Sequence, residues 1–444
     1  MRESELIEVL VERAIPVQQR SAVEVEKADR MIRDSAGLER IRRARDPEKA
    51  TLKNLSHTRL LSLIVEYSAQ QLVVEGVTAG SEESQELWWP FERAGMPSRQ
   101  NALNTAVLTY GEAYGLALPG SPSPYMRGFS PKNFGALFGD VVDDDFPTWA
   151  FRRIPQANGD EHWRLYDDEY VHFVSYESGK YKLLESREHG MGVCPVVRFT
   201  ASEDLDGNTW GEPEKFHLDA ARHDKTVYDR LMIQNYNSWR TKTAEGLEDN
   251  LSPEDAAKFK LKLGNDDVLT GSGDTKFGTL DQTDLSPMKA AQESDRDTLA
   301  AVSQTPVWAF NGGSMVNLSA DALIEAKSGN RQKVWTIQRG LNRPYCEFLR
   351  LGARANGDLA NAERYDLEMQ WADIGSQSMA AAADGLGKMA SNLGVPPEML
   401  WELIPGVSSK RVQAWREYAA AHPQGDAAFI EALARQGESV GSDL

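Results

Sequence analysis

Cysteine is nearly absent. Cys194 and Cys346 are the only two in 444 residues. They lie far apart and no CxxC occurs, so neither a disulfide framework nor a zinc site is indicated. Long apolar runs are also missing: no stretch approaches the ~18 residues that a membrane-spanning helix needs. The first residues, MRESELIEVLVERAIP, are charged and amphipathic. A secretory leader needs an unbroken apolar stretch and a small-residue cleavage site, so synthesis and residence in a cytosolic compartment are expected. Histidine is sparse, and His217 and His223, six apart, do not have the i, i+4 spacing of a helical ligand pair; no metal is expected. Positive charge is in deficit, with 49 Lys and Arg against 67 Asp and Glu, a net −18. Such a chain repels nucleic acid as a whole, which excludes a tight grip on DNA but not a surface over which DNA slides. There is no GxxxxGK[ST], no GxGxxG after a strand, no GxSxG and no HExxH, and no cofactor is indicated.

What is present is enough for real cores: 41% hydrophobic residues, with 11 Trp, 13 Tyr and 14 Phe. The length allows two to four domains. Residues 1–48 read as helix, with Leu6, Ile7, Leu10, Val11, Met31 and Ile32 as its apolar positions. Ser56 is placed to cap a second helix, SHTRLLSLIVEYSAQQL, and a third follows ELWWPFERAGMP and ends near Tyr110. From 112 to 200 short alternating runs predict a strand meander, and CPVVRF reads as a buried strand after the turn glycines Gly190 and Gly192. DLDGNTWGEPE (204–214) resembles a calcium loop in its acid spacing, but Thr209 stands where the loop glycine belongs, so a turn is expected. Long helices are predicted over 214–242 and 287–304, and a further one starts at Ser252-Pro253-Glu254-Asp255.

The stretch TPVWAFNGGSMVNLSADALIEAK (305–327) combines an apolar segment with a glycine hinge and a marked helix start. Trp308, Phe310 and Met315 are large and soft; Asn311, Gly312, Gly313 and Asn317 supply turn chemistry. Ser319 is a natural N-cap, and Leu318 and Leu323 can form a hydrophobic staple. The helix from 319 to 352 carries six basic residues, Lys327, Arg331, Lys333, Arg339, Arg343 and Arg350, against three acidic ones. Gly340 and Pro344 inside it predict a kink. RYDLEMQW reads as a strand by its alternation, 376–436 is alanine-rich and helical, and 437–444 reads as a disordered tail.

The order of these elements resembles the portal proteins of long-tailed bacteriophages, a family common among phages of actinobacteria. YGEAYGLALPG, HGMGVCPVVRF, LSADALIEAKSGNRQKV and MQWADIGSQSMAAAADGLGKMASNLGVPPEML carry the likeness, over about residues 50–420. One departure is Trp210-Gly211-Glu212-Pro213, where relatives often read Gly-x-Ser at the stem-helix start. The resemblance implies an α+β, mainly helical portal fold that assembles as a ring, typically of twelve. It implies a wing over 1–213, stem helices over 214–242 and 287–304, and a clip over 243–286. A tunnel loop would span 305–318, a long kinked helix and return to the wing 319–375, and a crown 376–436. It further implies double-stranded DNA passing non-specifically, and the large terminase, head-tail adaptor, and major capsid and scaffold proteins as partners. The location would be the virion vertex, with assembly in the host cytoplasm and no membrane. Trp308, Phe310, Asn311, Gly312, Gly313, Met315 and Asn317 would then border the channel, unless the two aromatics anchor the segment to the wing. Lys327, Arg331, Lys333 and Arg339 would face DNA or a neighbouring subunit. The rival reading is an acidic hydrolase with a site within 143–172, where Asp143, Asp144, Asp145, His162, Asp167, Asp168 and His172 cluster in sequence.

Overall fold

The computed structural model describes residues 3–33, 47–80, 82–238, 242–245, 276–279, 281–311, 320–372, 379–404, 407 and 409–422. It is mixed α+β and mainly helical, in two units, residues 1–370 and 371–444.

The first helix, α1 (3–33), includes a π-helical stretch at Val9–Ala14. Its apolar row Leu6, Leu10 and Ala14 lies on a five-stranded antiparallel sheet, β5 (Phe134–Leu137), β6 (Trp149–Pro155), β7 (Glu161–Tyr166), β8 (Tyr170–Glu177) and β9 (Lys180–Glu188). The inward residues Trp149, Phe151, Trp163, Leu165 and Val174 alternate along the strands and meet that row. The strand meander expected from alternation is therefore present, in strict sequence order.

Helix α2 (Pro47–Leu55) ends at Ser56, whose hydroxyl donates to the Lys53 carbonyl at 2.7 Å. Ser56 therefore closes the helix before it and does not cap the one that follows. That helix, α3 (Leu60–Ala69), begins four residues later, because His57 and Thr58 are held elsewhere, as described below. ELWWPFER is itself helical, α4 (Gln85–Arg93), with Ser84 at its N-cap and Pro90 tolerated inside. Helix α5 (Gln100–Tyr110) ends on Gly111 in the left-handed conformation.

A second sheet, ordered β10 (Val196–Thr200), β3 (Glu112–Leu118), β4 (Tyr125–Phe129), lies under the long helix α9 (Ala320–Ala355). Phe91, Phe199, Tyr345 and Phe348 meet edge to face at 5.1–6.3 Å between ring centres, the arrangement that ring quadrupoles favour. The Tyr345 hydroxyl donates to Asn104 Oδ1 at 2.9 Å, so the polar atom carried by these four rings is satisfied. The helix runs unbroken through Gly340 and Pro344. Gly340 has a packing reason: a Cβ there would sit 2.2 Å from the Ala201 carbonyl oxygen. A third sheet, ordered β13 (Leu367–Trp371), β1 (Val74–Ala79), β2 (Glu82–Glu83), brings RYDLEMQW back beside the N-terminal helices as a strand.

Two helices, α6 (Glu212–Ser238) and α7 (Ser286–Ser303), form an antiparallel hairpin. Asp295 accepts from Arg222 Nε at 2.9 Å and Thr226 Oγ1 at 2.6 Å, while Asn237 binds the Thr283 backbone through both N–H and C=O. Helix α6 begins two residues earlier than expected and its last described residue is 238. Gly211 fixes the start: a Cβ there would lie 2.1 Å from the Thr109 carbonyl oxygen, so the chain crosses the end of α5 at backbone contact. Beyond the hairpin, β11 (Lys242–Glu245) pairs with β12 (Lys276–Thr279). The helix predicted to start at Ser252 lies outside the described residues.

The 371–444 unit contains helices α10 (Met379–Leu393), α11 (Pro397–Leu400) and α12 (Ser409–Ala421). In it Trp401 meets Trp415 edge to face and Arg416 pairs with Glu402 at 2.7 Å.

Candidate functional site

The expected functional region joins the end of α7, the segment after it and the start of α9. Helix α7 stops on Gln304, a non-glycine residue in the left-handed region (φ 52°). Thr305 is buried and its N–H bonds to the Ala300 carbonyl at 3.0 Å. The chain then turns into a short helix, α8 (Val307–Asn311), started by Pro306. Phe310 is half-buried and packs on a cluster formed by Met31, Leu60, Leu61, Ile64, Ala220 and Leu299; Trp308 is half-buried as well. The part of 305–318 expected to be loop thus contains a helical turn through Asn311, and Phe310 serves as its anchor to the helical body. Gly312, Gly313, Met315, Asn317, Leu318 and Ser319 lie outside the described residues. Leu323 falls within α9.

The basic residues of α9 divide. Arg331 is exposed, and Arg339 is exposed with its guanidinium 4.9 Å from the Trp335 ring centre. Lys327 is half-buried. Lys333 turns inward, which corrects the expectation that it meets DNA or a neighbouring subunit. Its ammonium lies 2.5 Å from Glu212 Oε2, donates to the Ser303 carbonyl at 3.1 Å and sits over the Phe216 ring at 5.6 Å. Both charged side chains are more than nine-tenths buried. One lysine on α9 therefore ties the start of α6 to the last residue of α7. A buried, bonded pair of this kind resists loss of either partner, since the survivor would be a stranded charge. The surrounding cavity, about 310 Å³, has Val107, Leu108, Trp210, Phe216, Val302 and Ile337 among its lining residues.

Sequence reading missed a second tie. Asp224 of α6, 2% exposed, accepts from the Thr58 N–H at 3.0 Å and bonds to His57 Nδ1 at 2.9 Å; His57 Nε2 reaches the Ile32 carbonyl at 3.2 Å. Burial pushes the Asp224 carboxyl up, but the bonds from His57 and Thr58, with His223 close by at 3.6 Å, outweigh it and hold it below the usual carboxylate range. This cluster locks α6 to α1 and to the turn before α3. Its members are 167 residues apart, beyond any local pattern. A buried acid midway along a predicted helix was the only available signal.

The hydrolase reading meets a geometry of another kind. His172 Nε2 lies 3.1 Å from Asp167 Oδ2 and its Nδ1 2.8 Å from Ser186 Oγ, the order of groups in a Ser-His-Asp relay. Yet His172 and Ser186 are simply opposite each other on β8 and β9. His172 is buried between the Trp149 and Tyr170 rings. Asp167 spends its other oxygen on the N–H groups of Glu169 and Tyr170. Burial pushes its carboxyl up, but the His172 bond and these two N–H groups outweigh it and hold it below the ordinary range. The group is a turn staple. Asp145 pairs with Arg343 at 2.7 Å and Asp144 closes its own turn on the Asp140 N–H, while Asp143, His162 and Asp168 lie outside the relay. Asp204 likewise accepts from the Asp206 and Asn208 N–H groups, so its loop is a turn.

The chain thus combines a helical hairpin braced at its base, a short anchored helix and a long helix returning over a sheet. The chain matches the phage portal protein family described as SPP1 Gp6-like over residues 14–424, and it belongs to that family. It is a portal protein of phage-type particles and, like the family, a structural component and not an enzyme. The fold is similar to a chain in the virion of a native gene transfer agent particle, at 13% identity and TM-score 0.41, covering 78% of this chain and 89% of that one. It is also similar to one in the neck of the native particle computed with C12 symmetry, at 14% identity and TM-score 0.42, covering 84% and 93%. No curated protein matches. Among the described residues no helix is long and apolar enough to cross a membrane.

Proposed function

We propose that this portal subunit assembles as a ring of twelve at one capsid vertex and conducts double-stranded DNA during packaging and ejection. The large terminase, and later the head-tail adaptor, would dock on the clip beyond the α6–α7 hairpin; capsid and scaffold proteins would surround the wing. The family match over most of the chain carries this reading. Within it, the residues after Asn311 border the channel, while Phe310 holds the near end of the segment in place. An apolar border offers contact without fixed ion pairs, and the acidic bulk keeps phosphate from sticking, since each lysine or arginine contact adds salt-dependent grip. The hinge is the part to test. Gly312→Val with Gly313→Val disfavours any positive φ angle there. Incorporation into heads, checked by gel, is expected to stay normal while the ratio of filled to empty heads falls. Normal incorporation with normal filling would remove the hinge from the mechanism.

A further inference from the structure

The stem hairpin carries two outer ridges that differ in size and sign. On α6, Lys215, Leu218, Arg222, Lys225 and Asp229 follow the three- and four-residue spacing that keeps a row on one helix face, and Tyr236 lies seven residues further on the same face. The row is bulky and holds three cations against one anion. Leu218 and Tyr236 are 72% and 60% exposed. On α7, Ser286, Ala290, Glu293, Asp297 and Ala301 form an equivalent row, every member exposed. It is small and acidic. Glu293 and Asp297 form no ion pair among the described residues, whereas Arg222 is shared between Asp219 and Asp295 and Lys225 is bonded to Asp229.

The register of the hairpin sets the heights. Arg222 and Thr226 both hold Asp295, so Lys225 is level with Asp295. Glu293 and Asp297, two residues to either side, are each ~3 Å away along the axis. They also lie about 200° around α7 from Asp295, the residue that faces α6, so the acidic ridge points away from its own partner helix. The basic ridge has no reach to it within one chain.

The geometry points to a head-to-tail interface between copies of this chain, in which the small acidic ridge of α7 receives the bulky basic ridge of α6 from the next copy, with Lys225 between Glu293 and Asp297. The inference rests on the portal reading and names the surfaces that close the ring. Two unlike surfaces on one subunit make a heterologous contact, the kind that generates rings.

Charge swaps in the full-length chain test it, read by mass photometry over a range of protein concentrations, with circular dichroism melting as the check on folding. Glu293→Lys with Asp297→Lys should raise the concentration needed for rings about tenfold or more, because like charges then face each other. Adding Lys225→Glu to that variant should bring assembly most of the way back, although Lys225→Glu alone weakens it. Rings from the Glu293→Lys/Asp297→Lys variant at wild-type concentrations would overturn the interface. So would a triple variant that melts normally and assembles no better than the double. Wild-type chains that stay monomeric at every concentration, and are monomers when recovered from particles, would instead overturn the ring reading beneath it.

Discussion

Replacing Lys333 with methionine separates two roles for the basic face of α9. If the side chain met DNA, the change would alter packaging and leave folding untouched. In the structure it removes the ammonium 2.5 Å from a Glu212 carboxylate and takes from the Ser303 carbonyl its nearer donor, leaving Thr305 Oγ1 at 3.4 Å. Breaking one side of a buried pair costs about 3–5 kcal/mol. Lys215, 3.6 Å from Glu212 and about a third exposed, remains as a second cation and returns up to ~1 kcal/mol. Lys333→Met should therefore destabilise the chain by about 2–4 kcal/mol, read as a lower urea midpoint in tryptophan fluorescence. Glu212→Gln in the Lys333→Met background removes the stranded charge and should recover a large part of the loss, giving a coupling energy above ~1 kcal/mol. A Lys333→Met chain within ~0.5 kcal/mol of wild type, with DNA filling reduced, would refute the reasoning and return the residue to the channel.

Three further outcomes follow from the same contacts. The depressed Asp224 carboxyl contributes stability that is complete above the ordinary carboxylate pKa of about 3.9 and is lost as pH falls through its lower folded value. Asp224→Asn should lower stability at pH 7 and flatten the acid limb of a stability-against-pH curve below about pH 4; an unchanged limb would show that other carboxylates carry it. Gly340→Ala gains up to ~1 kcal/mol of helix propensity, but its Cβ would meet the Ala201 carbonyl oxygen at 2.2 Å, so a net loss of about 1–3 kcal/mol is expected in urea unfolding. Phe310→Ala should lower stability by about 1–3 kcal/mol, because the ring packs on the α3–α6–α7 cluster; no change would mean that the anchor is dispensable.

Much of the architecture was legible in the sequence because it is written locally. The α6 and α7 helices, the strand meander and the β13 strand follow from periodicity over ten to thirty residues. Ser56 was misread because serine serves either end of a helix, and only the Lys53 carbonyl and the Asp224 carboxylate decide which. α8 was read as loop because its five residues, Val307–Asn311, are too few to show a helical period. Lys333 belongs to a basic helix face by count, yet its partner Glu212 lies 121 residues away. Asp224 and His57 are equally remote from each other. Buried polar ties between distant segments leave no pattern in a single sequence, and here they are what brace the stem.

The central claim is that this chain works as a closed ring. Native mass spectrometry of the purified full-length protein measures it directly. The account predicts a closed assembly near 590 kDa, twelve times the 49.3 kDa chain, seen in negative stain as a ring with a central hole. A protein that remains at the monomer mass across concentrations, and is a monomer when recovered from particles, would contradict it.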